Sequence, residues 1–344
     1  MCAVSDGDRV MVLLVAGVPE PHLSALRAID PWLEIVDGSH LFGLPAHELT
    51  PARAAERDAL LARAEVLYNY DRTLPDMLRP ERTPRLRWIQ SAAASVHPLR
   101  ALGGFDRDLI VTNMGGVSVI PSSEWALCML LDHVRQSHRL WLNTRERRYE
   151  RFTSDELYGQ TVVICSLGRV GRRIAHLCRA FGMRVWGTRR RADTFEGPGP
   201  LREVDRLFRR AELPEVLPQA DFLILTMPNT PETRHYIGTA ELALLKPSCY
   251  LVNIGRGSTL DYRALIDALK AGRLAGAAVD VFQDDIQPLP PDDELWSLPN
   301  VVIAPHNAAQ TGHPERQAAV FAENLRRYLA GERLVNLIDP KLGY

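Results

Sequence analysis

The chain has 344 residues, 46% of them apolar, with 41 Lys and Arg against 42 Asp and Glu, a formal net charge of −1. That length supports one large or two medium domains, each able to bury a real core. The composition excludes disorder as the main state, and the charge balance argues against a dedicated nucleic-acid binder, which carries a broad positive field. The N-terminal apolar run at residues 10–17 is too short to span a bilayer and follows Asp6 and Asp8, where a secretory leader carries Lys or Arg. No other stretch reaches the roughly 18 apolar residues of a membrane span. The five cysteines are scattered, with no CxxC pair. That usage predicts a reduced, cytoplasmic protein with no structural metal site.

In chain order, short apolar runs at residues 9–15, 65–68, 86–90, 161–165, 184–187, 221–226, 250–254, 277–281 and 301–304 read as strands. They are rich in Val, Ile and Leu, as befits strands covered on both faces of a parallel sheet. Between them lie helical periodicities: Ile174, Leu177, Cys178 and Phe181, and later Ala318, Phe321, Leu325 and Tyr328. One long helix is expected over 122–148, beginning after Pro121 with two serines suited to capping. A fresh strand at Thr161 opens a regular βαβ series, and 196–200 reads as a surface loop. The alternation argues an α/β fold with right-handed crossovers. A final helix from Glu315 is free to return to the first domain and make it discontinuous.

The most informative stretch is Thr161-Val-Val-Ile-Cys-Ser-Leu-Gly-Arg-Val-Gly171. A strand runs into a tight turn and a helix opens near Arg169. This is the dinucleotide fingerprint GxGxxG with Ser166 in place of the first glycine. Gly168 would let the backbone approach a pyrophosphate, and Gly171 would let the helix sit close on the strand. Arg169 and Val170 open the helix whose free N–H groups and partial positive charge receive the anion. A site for NAD places an acid at the end of the next strand, on the ribose hydroxyls. Here that strand ends Gly187-Thr-Arg-Arg-Arg191, with Arg189 and Arg190 where the acid is expected. Guanidinium forks bind a 2′-phosphate bidentately, so NADP(H) is the predicted cofactor, with NAD possible.

From Gly168 to Asn307 the sequence resembles the D-isomer-specific 2-hydroxyacid dehydrogenases, a group that includes glyoxylate/hydroxypyruvate reductases. The similar pieces are SLGRVGRRIAHLCRAFGMRVWG, ADFLILTMPNTPETRHYI, LKPSCYLVNIGRGSTLD, LAGAAVDVF and LPNVVIAPHNA, in matching order and spacing. LRWIQSAAASV and the closing RYLAGERLVNLIDPKLGY extend the likeness over nearly the whole chain. The resemblance implies two α/β domains. One is a Rossmann-type parallel-sheet cofactor domain at 114–309. The other is a smaller, discontinuous, flavodoxin-like substrate domain from 1–113 and 310–344. It also implies an enzyme that reduces small 2-keto acids to D-2-hydroxy acids, and a homodimer built through the 122–148 helix. No nucleic acid, membrane or metal partner is implied.

The same resemblance assigns roles. Reduction of a 2-keto acid needs a cation for the substrate carboxylate and a proton donor for the keto oxygen. Arg256, in Asn253-Ile-Gly-Arg-Gly257, fills the first role, and His306, in Ala304-Pro-His-Asn307, fills the second. The residue that pairs with the histidine has two candidate positions. Counting forward from Asp280 gives Asp285, and counting back from Pro288-Leu-Pro290 gives Gln287. A carboxylate would raise the histidine pKa, whereas a glutamine would only orient the ring. Asp280 is implied to bond the cofactor carboxamide, with Pro228, Asn229, Thr233 and Ile254 along the cofactor wall. Ala94, Ser95 and Val96 match the turn whose backbone N–H groups receive the substrate carboxylate, with Ser95 replacing the usual glycine. Two other readings use the same scaffold: a non-catalytic, corepressor-like cofactor binder, and a formate-type dehydrogenase suggested by Gln287.

Overall fold

The computed structural model describes residues 9–45, 47–93, 96, 99, 102–189, 202–282 and 289–340. The chain divides into two compact units, residues 1–117 with 311–344, and residues 118–310. Both are parallel-sheet α/β structures.

The first unit carries β1 (Val10–Leu14), β2 (Leu33–Asp37), β3 (Val66–Tyr68), β4 (Trp88–Gln90) and β5 (Ile110–Thr112) in the order β2-β1-β3-β4-β5. That is the flavodoxin-like order, whose direction reverses between β1 and β3. Every residue of β1 is buried, because β1 lies inside the sheet with helices on both faces. The helix Pro314–Leu329 returns to this unit. Its Phe321 and Leu325 enter the cluster around Trp88 and Tyr68. A buried polar network fixes it there. Trp88 Nε1 donates to Thr112 Oγ1 at 2.8 Å, and Thr112 Oγ1 donates to Gln90 Oε1 at 2.8 Å. Asn324 Nδ2 donates to the same Gln90 oxygen at 2.9 Å, while Asn324 Oδ1 accepts from Val335 N–H at 2.8 Å.

The second unit carries β6 (Thr161–Cys165), β7 (Arg184–Thr188), β8 (Arg206–Phe208), β9 (Phe222–Leu225), β10 (Tyr250–Asn253), β11 (Gly276–Val279) and β12 (Val301–Ile303), ordered β12-β11-β10-β9-β6-β7-β8. The chain builds outward from β6 to β8, then returns to place β9 on the other side of β6. The reversal leaves a crevice above β6 and β9, where open α/β sheets take ligands.

The nine expected strands are all present, and three more were not anticipated: β2, β5 and β8. All three are sheet edges. An edge strand is covered on fewer sides, so its apolar signal is weaker; β8 is Arg-Leu-Phe and only Phe208 is buried. The single helix expected over 122–148 is two, Val119–Arg135 and Ser137–Arg145. They break at Gln136, which takes φ 52° and ψ 44° and donates its side-chain amide to Thr153 O at 3.1 Å. No glycine or proline marks that break. Among the described residues no helix is long and apolar enough to cross a membrane.

Asn324→Ala is expected to destabilise the protein by about 3 kcal/mol, since it strands the Val335 N–H and one side of the Gln90 amide in the core. Urea unfolding of the variant against the parent measures this.

Candidate active site

The turn after β6 is made as the chemistry requires. Ser166 sits at φ 84°, in the region glycine favours. Three hydrogen bonds hold it there. Its N–H donates to Thr188 Oγ1 at 3.0 Å, and its carbonyl accepts from Thr226 Oγ1 at 2.7 Å. The next N–H, of Leu167, donates to Thr188 O at 2.8 Å. The helix Arg169–Ala180 then starts from Gly168 with no side-chain cap. The two glycines differ. A Cβ at Gly168 would meet only Ser166 Oγ, at 3.9 Å, so the space above it is open. A Cβ at Gly171 would collide with the Ser166 carbonyl and come within 3.1 Å of Thr226 Oγ1. Open space above an uncapped helix start fits a pyrophosphate. Arg169 and Val170 form the first helical turn, and Arg189, half-buried, directly follows β7. Arg190 lies outside the described residues.

Across the crevice, the loop after β9 carries Pro228, Asn229 and Thr233. Thr233 braces the loop from within: its hydroxyl donates to Pro228 O at 2.7 Å and accepts from Thr230 N–H at 2.8 Å. Ile254 ends the run after β10, half-buried.

Arg256, Asp280 and His306 follow the ends of β10, β11 and β12, three neighbours in one sheet. Strands two apart are separated by roughly 10 Å, so the arginine and histidine turns stand near each other although far apart in sequence. Each turn is fixed by buried polar groups. The Arg256 carbonyl accepts from Asn253 Nδ2 at 3.3 Å and from Thr259 Oγ1 at 2.7 Å, and Gly255 N–H donates to Asn253 Oδ1 at 3.1 Å. Arg256 itself is half-buried, with Nη1 on Gly255 O at 2.6 Å. Asp280 is 2% exposed. Its Oδ1 accepts from Asn307 N–H at 2.8 Å and Ala308 N–H at 3.0 Å, and its carbonyl accepts from His306 N–H at 3.1 Å. His306 is exposed and held at φ 56°. Burial pushes the Asp280 carboxyl up, while the two backbone N–H groups and His306 pull it back.

Sequence reading singled out Asp280 for the cofactor; the structure shows that one of its oxygens is committed to the histidine turn. It passed over Asn253, Thr226, Thr188 and Thr259 as site residues. A polar residue at the end of an otherwise apolar buried strand is the signal that would have found Asn253. Val96 is buried in the first unit. Ala94, Ser95, Asp285 and Gln287 lie outside the described residues.

The chain is similar to several known proteins. Residues 127–308 match the model of the D-isomer specific 2-hydroxyacid dehydrogenase NAD binding domain. A glyoxylate reductase from Aeropyrum pernix is 34% identical over 309 residues, covering 87% of this chain and 88% of that protein. A D-isomer specific 2-hydroxyacid dehydrogenase family protein from Aeromonas salmonicida superposes with a TM-score of 0.80 at 28% identity, covering 97% of this chain and all of the other. An NADPH-dependent glyoxylate/hydroxypyruvate reductase from Sinorhizobium meliloti, solved with NADP and sulfate, superposes with a TM-score of 0.78 at 26% identity, covering 98% of this chain and all of the other.

Two outcomes are expected. Gly171→Ala should lower the melting temperature by several degrees because backbone must move, whereas Gly168→Ala should leave it within a degree or so and weaken dinucleotide binding; thermal melts with and without NADPH separate the two. Asp280→Ala should cost about 2 kcal/mol by stranding two buried N–H groups, and Asp280→Asn, which still accepts, should recover most of it, as read from chemical unfolding.

Proposed function

This chain belongs to the D-isomer specific 2-hydroxyacid dehydrogenases, a family of oxidoreductases, and from that premise we propose that it is an NADP(H)-preferring reductase of small 2-keto acids of the glyoxylate, hydroxypyruvate and pyruvate kind, forming D-2-hydroxy acids. The observation that carries this reading is the frame at the ends of β10, β11 and β12, where Asn253 and Asp280 hold the turns bearing Arg256 and His306.

Residues 114–309 form the dinucleotide-binding domain in this reading, and 1–113 with 310–344 the substrate domain. Gly168, Arg169, Val170 and Gly171 receive the pyrophosphate at the helix start. Arg189 and Arg190 take the 2′-phosphate; the described end of β7, Arg184–Thr188, carries no acid to repel it. Pro228, Asn229, Thr233, Ile254 and Asp280 line the cofactor. When bound, the reduced nicotinamide supplies the hydride for the keto carbon. Arg256 holds the substrate carboxylate and draws the keto oxygen into its field. Ala94, Ser95 and Val96 offer backbone N–H groups to the same carboxylate. His306, as imidazolium, gives its proton to the oxygen as the carbon–oxygen double bond becomes a single bond, then reloads from water. Asp285 or Gln287 orients that ring.

A homodimer is the assembly this reading favours. The helix Ser137–Arg145 leaves Leu140, Trp141 and Leu142 exposed, Trp141 to 71%, and apolar patches of this kind serve as interfaces. A cytoplasmic location agrees with the four free cysteines among the described residues, three of them buried with thiols pushed up to about 12.

A keto-acid panel with NADPH and NADH in parallel tests the proposal. The wild type should reduce glyoxylate or hydroxypyruvate faster with NADPH. Arg189→Asp should cut kcat/KM for NADPH by about tenfold or more and spare NADH. Arg256→Gln and His306→Gln should each cost about 10²–10⁴ in kcat/KM while NADPH still binds. Bound cofactor with no turnover across the panel would mark a binding protein instead.

A further inference from the structure

In the second unit's sheet, β7 and β8 are parallel neighbours, with Thr188 paired to Phe208. Both strands end at that pair, so the chain leaves them side by side, about 5 Å apart. One exit runs Thr188-Arg189 and the other Phe208-Arg209-Arg210. Two basic loops therefore start from adjacent points on the carboxyl edge that also carries the fingerprint turn.

The side chain of Arg210 is exposed, yet two contacts place it. Its Nη1 donates to Glu232 O at 2.8 Å, and its guanidinium lies 4.6 Å from the centre of the Tyr236 ring. Both partners belong to the loop after β9, the loop that carries Pro228, Asn229 and Thr233. Tyr236 is 7% exposed. Burial, with the Cys165 thiol beside it, pushes its phenol up to about 12, while Thr188 and Arg210 pull it back. Tyr236 thus stands beside both Thr188 and Arg210, and ties Arg210 to the end of β7, where Arg189 follows. Thr188 Oγ1 also accepts the Ser166 N–H at 3.0 Å, so one strand end serves the fingerprint turn and this basic rim together.

The acids around this rim are engaged with other partners. Asp205 accepts from Val185 N–H at 2.8 Å and pairs with Arg179. Glu212 accepts from Arg209 N–H at 2.8 Å and from Arg206 Nη2 at 3.2 Å, and these bonds hold its carboxyl below the usual range. Glu215 pairs with Arg206 at 3.4 Å. The two groups that hold Arg210 are a carbonyl and a ring face. They fix the guanidinium without neutralising it, and the carbonyl takes only one of its several N–H donors. A cation ordered in advance by neutral partners binds an anion with less entropy to lose. The planar fork that stacks on an aromatic ring also matches phosphate geometry.

We propose that Arg210 is a specificity-determining residue for the cofactor, closing with Arg189 a two-sided clamp on the adenosine 2′-phosphate, one guanidinium from each of two neighbouring strand ends. The inference rests on the NADP(H) reading above and adds a second strand end to the single loop which that reading uses.

The test measures binding to the full chain by calorimetry. The probes are 2′,5′-ADP and NADPH, which carry the 2′-phosphate, and 5′-AMP and NADH, which lack it. The wild type should bind 2′,5′-ADP more tightly than 5′-AMP. Arg210→Gln should weaken 2′,5′-ADP and NADPH about tenfold and leave 5′-AMP and NADH within about twofold. Arg189→Gln should show the same selectivity. Arg210→Lys, which keeps the charge and loses the fork, should recover part of the loss. The melting temperature of ligand-free Arg210→Gln should stay within about two degrees of the parent, as for other exposed side chains. Equal weakening of all the probes would assign Arg210 to the adenine or to the loop itself and overturn the clamp. Selectivity lost in Arg189→Gln and kept in Arg210→Gln would overturn the part of Arg210 and leave the NADP(H) reading standing. A wild type that binds 5′-AMP and NADH as tightly as their phosphorylated counterparts, or binds no probe, would overturn the reading and the clamp together.

Discussion

A carboxylate buried at the end of β11 is the constraint on which the candidate chemistry depends. Ionised carboxylates enter protein interiors only when hydrogen bonds replace their water. Asp280 meets that demand with the N–H groups of Asn307 and Ala308, and by doing so it shapes the turn that carries His306. Its own N–H donates to Asn253 O at 3.0 Å. Asn253 in turn shapes the turn that carries Arg256. Two side chains distant in sequence are therefore mounted on one hydrogen-bonded frame. The cost of burying a polar group is what makes the frame specific: each group has its partner only when the turns take this shape.

The phosphate turn follows the same logic with a different currency. A side chain at φ 84° costs backbone energy, and a serine stands there where the fingerprint has glycine. The hydroxyls of Thr188 and Thr226, from the two strands flanking β6, hold the turn from either side. Glycine would make this turn without help. Serine makes it because the neighbouring strand ends supply two hydroxyl contacts.

Both units open a space at the point where strand order reverses. In the second unit this is the crevice above β6 and β9, with the fingerprint turn on one side and the Pro228 loop on the other. In the first it is a cavity above β1 and β3. The recurrence has a physical origin. Connections leave a reversal point in opposite directions, so no crossover covers the sheet edge there.

Much of this was legible in the sequence, because the information is local. Interior strands such as β6, β9 and β10 are continuous apolar runs since both faces are covered. The fingerprint is a run of six residues whose turn, pyrophosphate approach and helix start are short-range demands. Arg256 and His306 were assigned by the resemblance of their local motifs to those of the family. What the sequence could not disclose depends on contacts between distant residues. The edge strands β2, β5 and β8 are strands because a neighbour pairs with them, and the helix break at Gln136 occurs with no breaker residue to announce it. The tertiary structure alone decided that Asp280 holds the histidine turn and that Asn324 ties the returning helix to Gln90. The reason is common to all these cases: a polar group's partner is chosen by which strand ends lie side by side, and that is fixed by strand order, which local composition does not encode.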